Sequence, residues 1–186
     1  MKTQEAFAYF LTFRTYGTWL HGDERGSVSR ENNQYGRPLI TPHANLRKQM
    51  QSNMSEPALQ FSSAEQRQTV LQSIIDTCNY NHWILFAAHV RIEHVHLVLQ
   101  SSSSKEDAQR IIKCYATKDL KKYHSELSQR NHFWSRHGST KNIWAPESLF
   151  PALYYVIKQQ GEPMALFYDK KYYDQRDEQL YEIYLQ

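Results

Sequence analysis

Runs of alternating or continuous apolar residues predict four β-strands, because successive strand side chains point to opposite faces of a sheet. The first three runs cover residues 6–14, 83–91 and 94–100. A fourth stretch, residues 133–144, is aromatic and β-branched but is interrupted by Gly138, which is typical of a strand or a bent hairpin. The short turn between the second and third runs predicts that these two strands are antiparallel neighbours.

Apolar residues spaced three and four positions apart predict three helices. The first extends from the Ser62–Ser63 pair to Cys78, the second covers residues 105–127, and the third covers residues 146–160. The order strand, helix, strand, strand, helix, strand is the split βαβ plan of an α+β, ferredoxin-like domain with an antiparallel sheet and helices on one face. The third helix, which carries Tyr155, is an addition to that plan.

The length of 186 residues predicts one domain, over residues 1–163, followed by a C-terminal tail over residues 164–186. Residues 24–62 are rich in Asn, Gln, Ser, Pro and Arg, and they predict a long loop that is functional or partly disordered. The tail is rich in tyrosine and could dock on the body of the protein, on a second subunit or on nucleic acid.

Composition permits a nucleic-acid partner without requiring one. The formal net charge is only +3, but aromatic residues make up 13% of the chain, and single-stranded nucleic acid stacks on rings beside Lys and Arg. Cys78 and Cys114 fall on the apolar sides of predicted helices, which indicates core residues in a reducing compartment. With no signal-peptide character and no apolar run of membrane-span length, we expect a cytoplasmic protein with no membrane partner.

The triplet His94-Val95-His96 is the first candidate for chemistry, because both imidazoles would lie on one face of the third strand. Two imidazoles on one face suit a divalent metal ion, although two strand histidines hydrogen-bonded for structural reasons are an equal alternative. His89 and Arg91 would lie nearby, either as contacts to the site or as a solvated strand end.

The third helix offers a partner for the histidines. At about 100° per residue its apolar side chains cluster in one arc, and Tyr155 points roughly the opposite way. Gln159 follows four positions later on the same side, so the two side chains can reach a common site. Tyr154 lies at the edge of the apolar arc and is the natural packing tyrosine.

Together these motifs resemble the single-tyrosine HUH transposases of the insertion-sequence-200-like family, including relatives associated with repetitive extragenic palindromes. HUH stands for His, hydrophobic residue, His, and the likeness is spread over most of the chain. The residues that carry it are Tyr16-Gly17-Thr18-Trp19-Leu20 after the first strand, His94-Val95-His96, His137-Gly138-Ser139-Thr140, and Tyr155 with Gln159 ahead of Gly161-Glu162-Pro163-Met164. The triplet alone is a weak signal, but the triplet with a Tyr-x-x-x-Gln helix is specific.

The resemblance implies metal-dependent nicking and strand transfer of single-stranded DNA. Tyr155 would be the nucleophile and would form a 5′-phosphotyrosine link, while His94, His96 and Gln159 would hold one Mg²⁺ or Mn²⁺ against the scissile phosphate. A homodimer and a hairpin-bearing DNA are further implications. The long loop and the tyrosine-rich tail depart from the smallest family members.

Five further residues are candidates for DNA contact because they bring positive charge or an aromatic ring to the predicted site or its loops: Arg14, Tyr16, Arg136, Lys141 and Lys158. The weakly acidic hydroxyl of Tyr155 would need help to ionise, from the metal ion, from a nearby cation such as Lys158, or from a water acting as base. The main alternative function is a ferredoxin-like nucleic-acid-binding module without catalysis. A histidine-based phosphodiesterase is a weaker alternative, because that chemistry usually requires two separated His-x-Ser/Thr motifs.

Overall fold

The structure is a computed structural model that describes residues 5–26, 41–174, 178–179 and 181–182. Part of the predicted loop, residues 27–40, lies outside the described residues, as do Leu180, Ile183 and Tyr184 of the tail. The described part has an α+β architecture, which confirms the predicted class.

Five strands form one sheet in the order β4-β1-β3-β2-β5, and every hydrogen-bonded pair of neighbours is antiparallel. The strands are β1 (Ala8–Thr15), β2 (Ile84–Val90), β3 (His94–Gln100), β4 (Trp134–Ile143) and β5 (Ala165–Tyr168). The antiparallel sheet was predicted, but β5 was not. This strand has only four residues in the region interpreted as a tail, and it depends on pairing with β2.

Within the described residues, the α-helices with defined bounds are α1 (Ala44–Ser52), α2 (Ala64–Tyr80), α3 (Lys105–Tyr123) and α4 (Leu149–Lys158). The hydroxyl of Ser63 accepts a hydrogen bond from the backbone N–H of Gln66 and so caps α2, as Ser104 caps α3. Helix α4 follows a 3₁₀ turn, Pro146–Ser148, and ends two residues before the predicted boundary.

Two apolar cores lie on opposite faces of the sheet, because alternate strand residues point to opposite sides. One core packs α2 and α3 against Leu11, Leu97 and neighbouring side chains. The other packs α4, through Leu153 and Val156, against Val98 and its neighbours. The tyrosine-bearing helix therefore lies on the face that α2 and α3 leave open, which is the face of His94 and His96.

The two cysteines have different environments. Cys78 is buried in the core under α2, and burial raises the pKa of its thiol to about 12. Cys114 is exposed on α3, so the prediction that both cysteines are core residues is wrong for this one. Its position falls just outside the apolar stripe of the helix, where a prediction from spacing alone is least secure. Within the described ranges, no helix is both long and apolar enough to cross a membrane.

Candidate active site

Strand β3 presents His94 and His96 on the face covered by α4. Their ring centroids are 4.8 Å apart. On the neighbouring strand β1, Thr12 lies opposite His96 and Arg14 lies opposite His94. The Thr12 hydroxyl and Nδ1 of His96 are 2.7 Å apart, so they are hydrogen-bonded. Strand β1 therefore fixes the His96 ring through Thr12 and places Arg14 beside His94.

Helix α4 brings Tyr155 to the histidines from above the sheet. Its ring centroid lies 5.5 Å from that of His96, with the two rings nearly perpendicular. Phe10 of β1 contacts both rings, at 5.6 Å from Tyr155 and 5.9 Å from His96. Tyr155 is nevertheless 38% exposed, whereas Tyr154 is partly buried against the core. The structure thus joins the tyrosine and the histidine pair that the sequence singled out separately.

The glutamine nearest the histidines is Gln160. Its amide interacts with the imidazoles of both His94 and His96, and its Nε2 donates a hydrogen bond to the backbone oxygen of Tyr155 over 3.1 Å. Gln159 is exposed at the C-terminal cap of α4, where its backbone N–H bonds to the oxygen of Tyr155. The end of the helix thus places the later glutamine of the pair against the rings.

Both imidazoles are neutral at pH 7. Burial, together with the positive charge of Arg14, lowers the pKa of His94 to about 4. Burial and the neighbouring His94 lower the pKa of His96 to about 3. A neutral imidazole keeps one ring nitrogen free of a proton, which is the form that ligates metal ions.

The residues present fit a weakly held divalent ion. Nδ1 of His94 is buried without a hydrogen-bond partner among the described residues, and a polar atom in that state is free for a ligand. Within the same part of the chain, no cluster of three or more His, Cys, Asp or Glu side chains could hold a metal ion. Two imidazoles and one amide would be a smaller, uncharged set of ligands, which would leave coordination positions of the ion for phosphate and water oxygens.

The predicted DNA contacts are distributed unevenly around this site. The guanidinium of Arg14 lies 4.0 Å from the ring centre of Trp19, and Arg14 is the cross-strand partner of His94. Lys141 pairs with Phe10 across β1 and β4, so it shares the face of the histidines. Arg14 and Lys141 are therefore the two cations on the site face of β1 and β4.

The other three candidates lie further from the tyrosine or are engaged elsewhere. Lys158 forms an ion pair with Glu178 at 2.7 Å, so in this structure its charge is matched by the tail. Tyr16 packs its ring against that of His132 at 5.0 Å. Arg136 is exposed on the edge strand β4.

Sequence reasoning missed two residues at the site, Thr12 and Gln160, and for His89 it left two alternatives open, a contact to the site and a solvated strand end. The alternation of β1 places Thr12 on the correct face, but the strand order that sets it beside His96 is not visible in the sequence. The sequence prediction chose Gln159 from its spacing of four residues after Tyr155 and passed over Gln160, because the end of a helix is uncertain by one or two residues. The interpretation of His89 as part of a solvated strand end is wrong, because its exposed fraction is 0%.

The lowered pKa of His96 predicts that acid destabilises the protein without metal. An unfolded histidine takes up a proton below pH 6.5, whereas folded His96 remains neutral until about pH 3, so stability is full above pH 6.5 and falls as pH decreases below it. Between pH 6.5 and pH 5, His96 should lower the free energy of unfolding by about 2 kcal/mol, since each pH unit accounts for about 1.4 kcal/mol. Urea unfolding of wild type and His96→Gln at pH 7 and pH 5 measures it.

In that experiment the variant should show the smaller loss of unfolding free energy on acidification. The same replacement at exposed His137 controls for removing a histidine elsewhere. Equal losses in wild type and His96→Gln would contradict the prediction.

Comparison with known proteins adds a limited finding. No protein-family model matches the sequence. A search of curated proteins found no relative. Among solved structures, the chain is similar to a REP-associated tyrosine transposase bound to a REP hairpin, with a TM-score of 0.45 and 12% sequence identity, covering 84% of this chain and 68% of the other. At that level of similarity the comparison assigns no function to this chain.

Proposed function

We propose that this protein nicks and rejoins single-stranded DNA through a covalent 5′-phosphotyrosine intermediate at Tyr155. The observation that carries the proposal is the position of a partly exposed tyrosine ring 5.5 Å from the buried, neutral imidazole of His96, which lies beside the half-buried imidazole of His94. The core does not require this ring, and a tyrosine hydroxyl beside groups that can hold a metal ion is suited to attack on a phosphate.

In the proposed reaction the Tyr155 hydroxyl attacks the phosphorus of the scissile phosphate. A bond forms between the tyrosine oxygen and phosphorus, and the bond from phosphorus to the 3′-oxygen breaks. The hydroxyl loses its proton to water, and the departing 3′-oxygen gains one, so a 5′-phosphotyrosine and a free 3′-OH result. Attack by the 3′-OH of another strand reverses these bonds and releases Tyr155 with its proton.

His94 and His96 would hold Mg²⁺ or Mn²⁺ together with an amide oxygen from the end of α4. When bound, the ion would act as a Lewis acid on the scissile phosphate. Thr12 would then orient His96 by accepting the hydrogen of Nδ1, since the two atoms are 2.7 Å apart. The guanidinium of Arg14, which lies opposite His94 on β1, would offset the negative charge that develops on the phosphate.

Two adjacent glutamines are candidates for the amide ligand. Gln159 is the residue that the sequence motif indicates, and Gln160 is the one beside both imidazoles. We expect Gln160→Ala to lower the rate of adduct formation by roughly 10- to 100-fold, the usual effect of disturbing groups around a metal site. Gln159→Ala is the matched control and should have the smaller effect, because that side chain is exposed.

The measurement is the Mn²⁺ dependence of adduct formation in both variants. Loss of Mn²⁺ response in Gln159→Ala with a normal response in Gln160→Ala would contradict the expected order and would restore the motif-based assignment.

We further propose that the DNA lies beside α4, along the face of the sheet that carries His94 and His96. Arg14 and Lys141 would contact phosphates beside the site, while Tyr16 and Arg136 would contact DNA further away. Lys158 could join them only after its ion pair with Glu178 opens.

A hairpin in the DNA and a homodimer are proposed from the sequence resemblance. The strand order β4-β1-β3-β2, with α2 and α3 on one face, supports the ferredoxin-like plan.

The test is to incubate the protein with labelled, hairpin-bearing single-stranded DNA and Mn²⁺ or Mg²⁺, and to look for a protein–DNA adduct on a denaturing gel. An adduct that requires the metal ion supports the proposal. DNA binding without an adduct would contradict the proposed reaction and favour a nucleic-acid-binding module.

A further inference from the structure

His89 connects the strand next to the histidine pair with the segment that carries the tyrosine. It lies on β2, directly opposite His96 of β3, and it is fully buried. Because cross-strand partners point to the same face, the His89 ring lies beneath α4 next to the candidate site.

Both ring nitrogens of His89 bind backbone atoms that lie far away in the sequence. Nδ1 is 3.0 Å from the backbone oxygen of Val156 in α4. Nε2 is 3.1 Å from the backbone nitrogen of Met164, just before β5. A carbonyl oxygen only accepts and an amide N–H only donates, so Nδ1 carries the hydrogen and Nε2 accepts. Burial lowers the pKa of His89, which is consistent with this neutral form.

Arg91 provides a third bond to the segment between α4 and β5. Its guanidinium donates a hydrogen bond to the backbone oxygen of Glu162. Gly161 beside it has φ +73°, a left-handed conformation that glycine adopts without strain. The connection between α4 and β5 is therefore bonded to the end of β2 through Val156, Glu162 and Met164.

The segment that these bonds hold carries the two residues that α4 and its C-terminal end bring to the site, Tyr155 and Gln160. Tyr155 immediately precedes Val156, whose carbonyl His89 binds. Gln160 lies between the bonded positions, and its side chain reaches both His94 and His96. A shift of this segment would therefore move the tyrosine and the amide together, relative to imidazoles that stay on β3.

We propose that His89, assisted by Arg91, is the positioning residue that sets the distance and orientation of Tyr155 and Gln160 relative to the histidine pair. This inference rests on the proposed function for its consequence in catalysis. An apolar side chain could fill the same volume, but it could not bind the carbonyl of one segment and the amide of another. The two bonds link β2 to α4 and to the start of β5, respectively.

The first test compares His89→Leu, which removes both bonds, with His89→Asn, whose amide nitrogen takes approximately the place of Nδ1. The readouts are the first-order rate of adduct formation at saturating DNA and metal, and the DNA dissociation constant. His89→Leu should lower the rate roughly 100-fold, as expected when reacting groups are misplaced by about 1 Å, and leave DNA affinity within about twofold. His89→Asn should recover part of the rate, and Arg91→Ala should lower it less than His89→Leu does.

Val98→Ala is the matched control, because Val98 is fully buried under α4 but its side chain makes no polar bond to the connection. It should lower the melting temperature while the rate at saturating DNA stays near that of wild type, measured where both proteins are folded. A loss of rate in Val98→Ala as large as in His89→Leu would overturn the proposal, since general loosening would then explain both.

The second test does not depend on activity. Nuclear magnetic resonance of the wild-type imidazoles should show a hydrogen on Nδ1 of His89, and a nuclear Overhauser effect should join the rings of Tyr155 and His96. That effect should disappear in His89→Leu, weaken in His89→Asn, which can keep the bond to Val156, and persist in Val98→Ala. A hydrogen on Nε2, or an unchanged effect in the His89 variants, would overturn the positioning role. Absence of any adduct with wild-type protein would instead overturn the proposed function alone.

Discussion

Tyr155→Phe is expected to lower formation of the covalent protein–DNA adduct by at least about 1,000-fold, because it removes the only atom of that side chain that can attack phosphorus. The ring itself should keep its place, since phenylalanine retains the edge contacts with His96 and Phe10. DNA affinity should change little. The measurement is a denaturing gel of the labelled DNA after incubation with Mn²⁺, beside a binding titration.

Tyr154→Phe is the matched control for this change. The two tyrosines are adjacent on α4, but the Tyr154 hydroxyl donates a hydrogen bond to Glu182 in the tail, 3.0 Å away. Adduct formation by Tyr154→Phe should equal that of wild type. An adduct that persists in Tyr155→Phe, or that vanishes in Tyr154→Phe, would reject Tyr155 as the nucleophile.

The second large effect is expected at the histidine pair. His94→Ala and His96→Ala should each lower adduct formation by at least about 100-fold, because each removes one of the two imidazoles that would hold the ion beside the phosphate. DNA binding should survive, since Arg14 and Lys141 remain. Mn²⁺ binding followed by electron paramagnetic resonance should weaken in both variants, and this readout is independent of the DNA.

His82→Asn is the control, because His82 is exposed in the turn between α2 and β2 and belongs to none of the motifs of the candidate site. It should keep both the adduct and the Mn²⁺ signal. Loss of DNA binding in His94→Ala, at a temperature where the protein is folded, would mean that this histidine holds the fold or the DNA and not only the metal ion. Normal adduct formation in both histidine variants would contradict a metal site at this pair.

Local periodicity predicted the elements that are long or strongly patterned. β3 covers the predicted residues 94–100, and α2 begins after Ser63 as its capping signal indicated. The short strand β5 was missed because four residues carry little pattern of their own, and the strand forms by pairing with β2. Cys114 was misplaced because it lies at the border of an amphipathic stripe.

Local periodicity also predicted part of the candidate site. Alternation along β3 places His94 and His96 on one side, and helical periodicity turns Tyr155 away from the apolar arc of α4. Neither pattern states where a helix stops, so the glutamine beside the imidazoles could not be chosen from the sequence. The ion pair of Lys158 with Glu178 was likewise not predictable, because it depends on where the tail packs.

By itself the sequence determined the α+β class, the direction in which the histidines and the tyrosine point, and the sparse character of the ligand set proposed here, two imidazoles and one amide. Those properties depend on residue type and on repeats of two or 3.6 residues, which are local. Only the tertiary structure decided that α4 covers the histidine face, that Gln160 reaches both rings, and that His89 is buried. These three features depend on contacts between segments that are distant in the sequence, such as the bond from His89 to Val156 across 67 positions. Which distant segments meet is determined by how the helices and strands pack, and a local pattern does not contain that information.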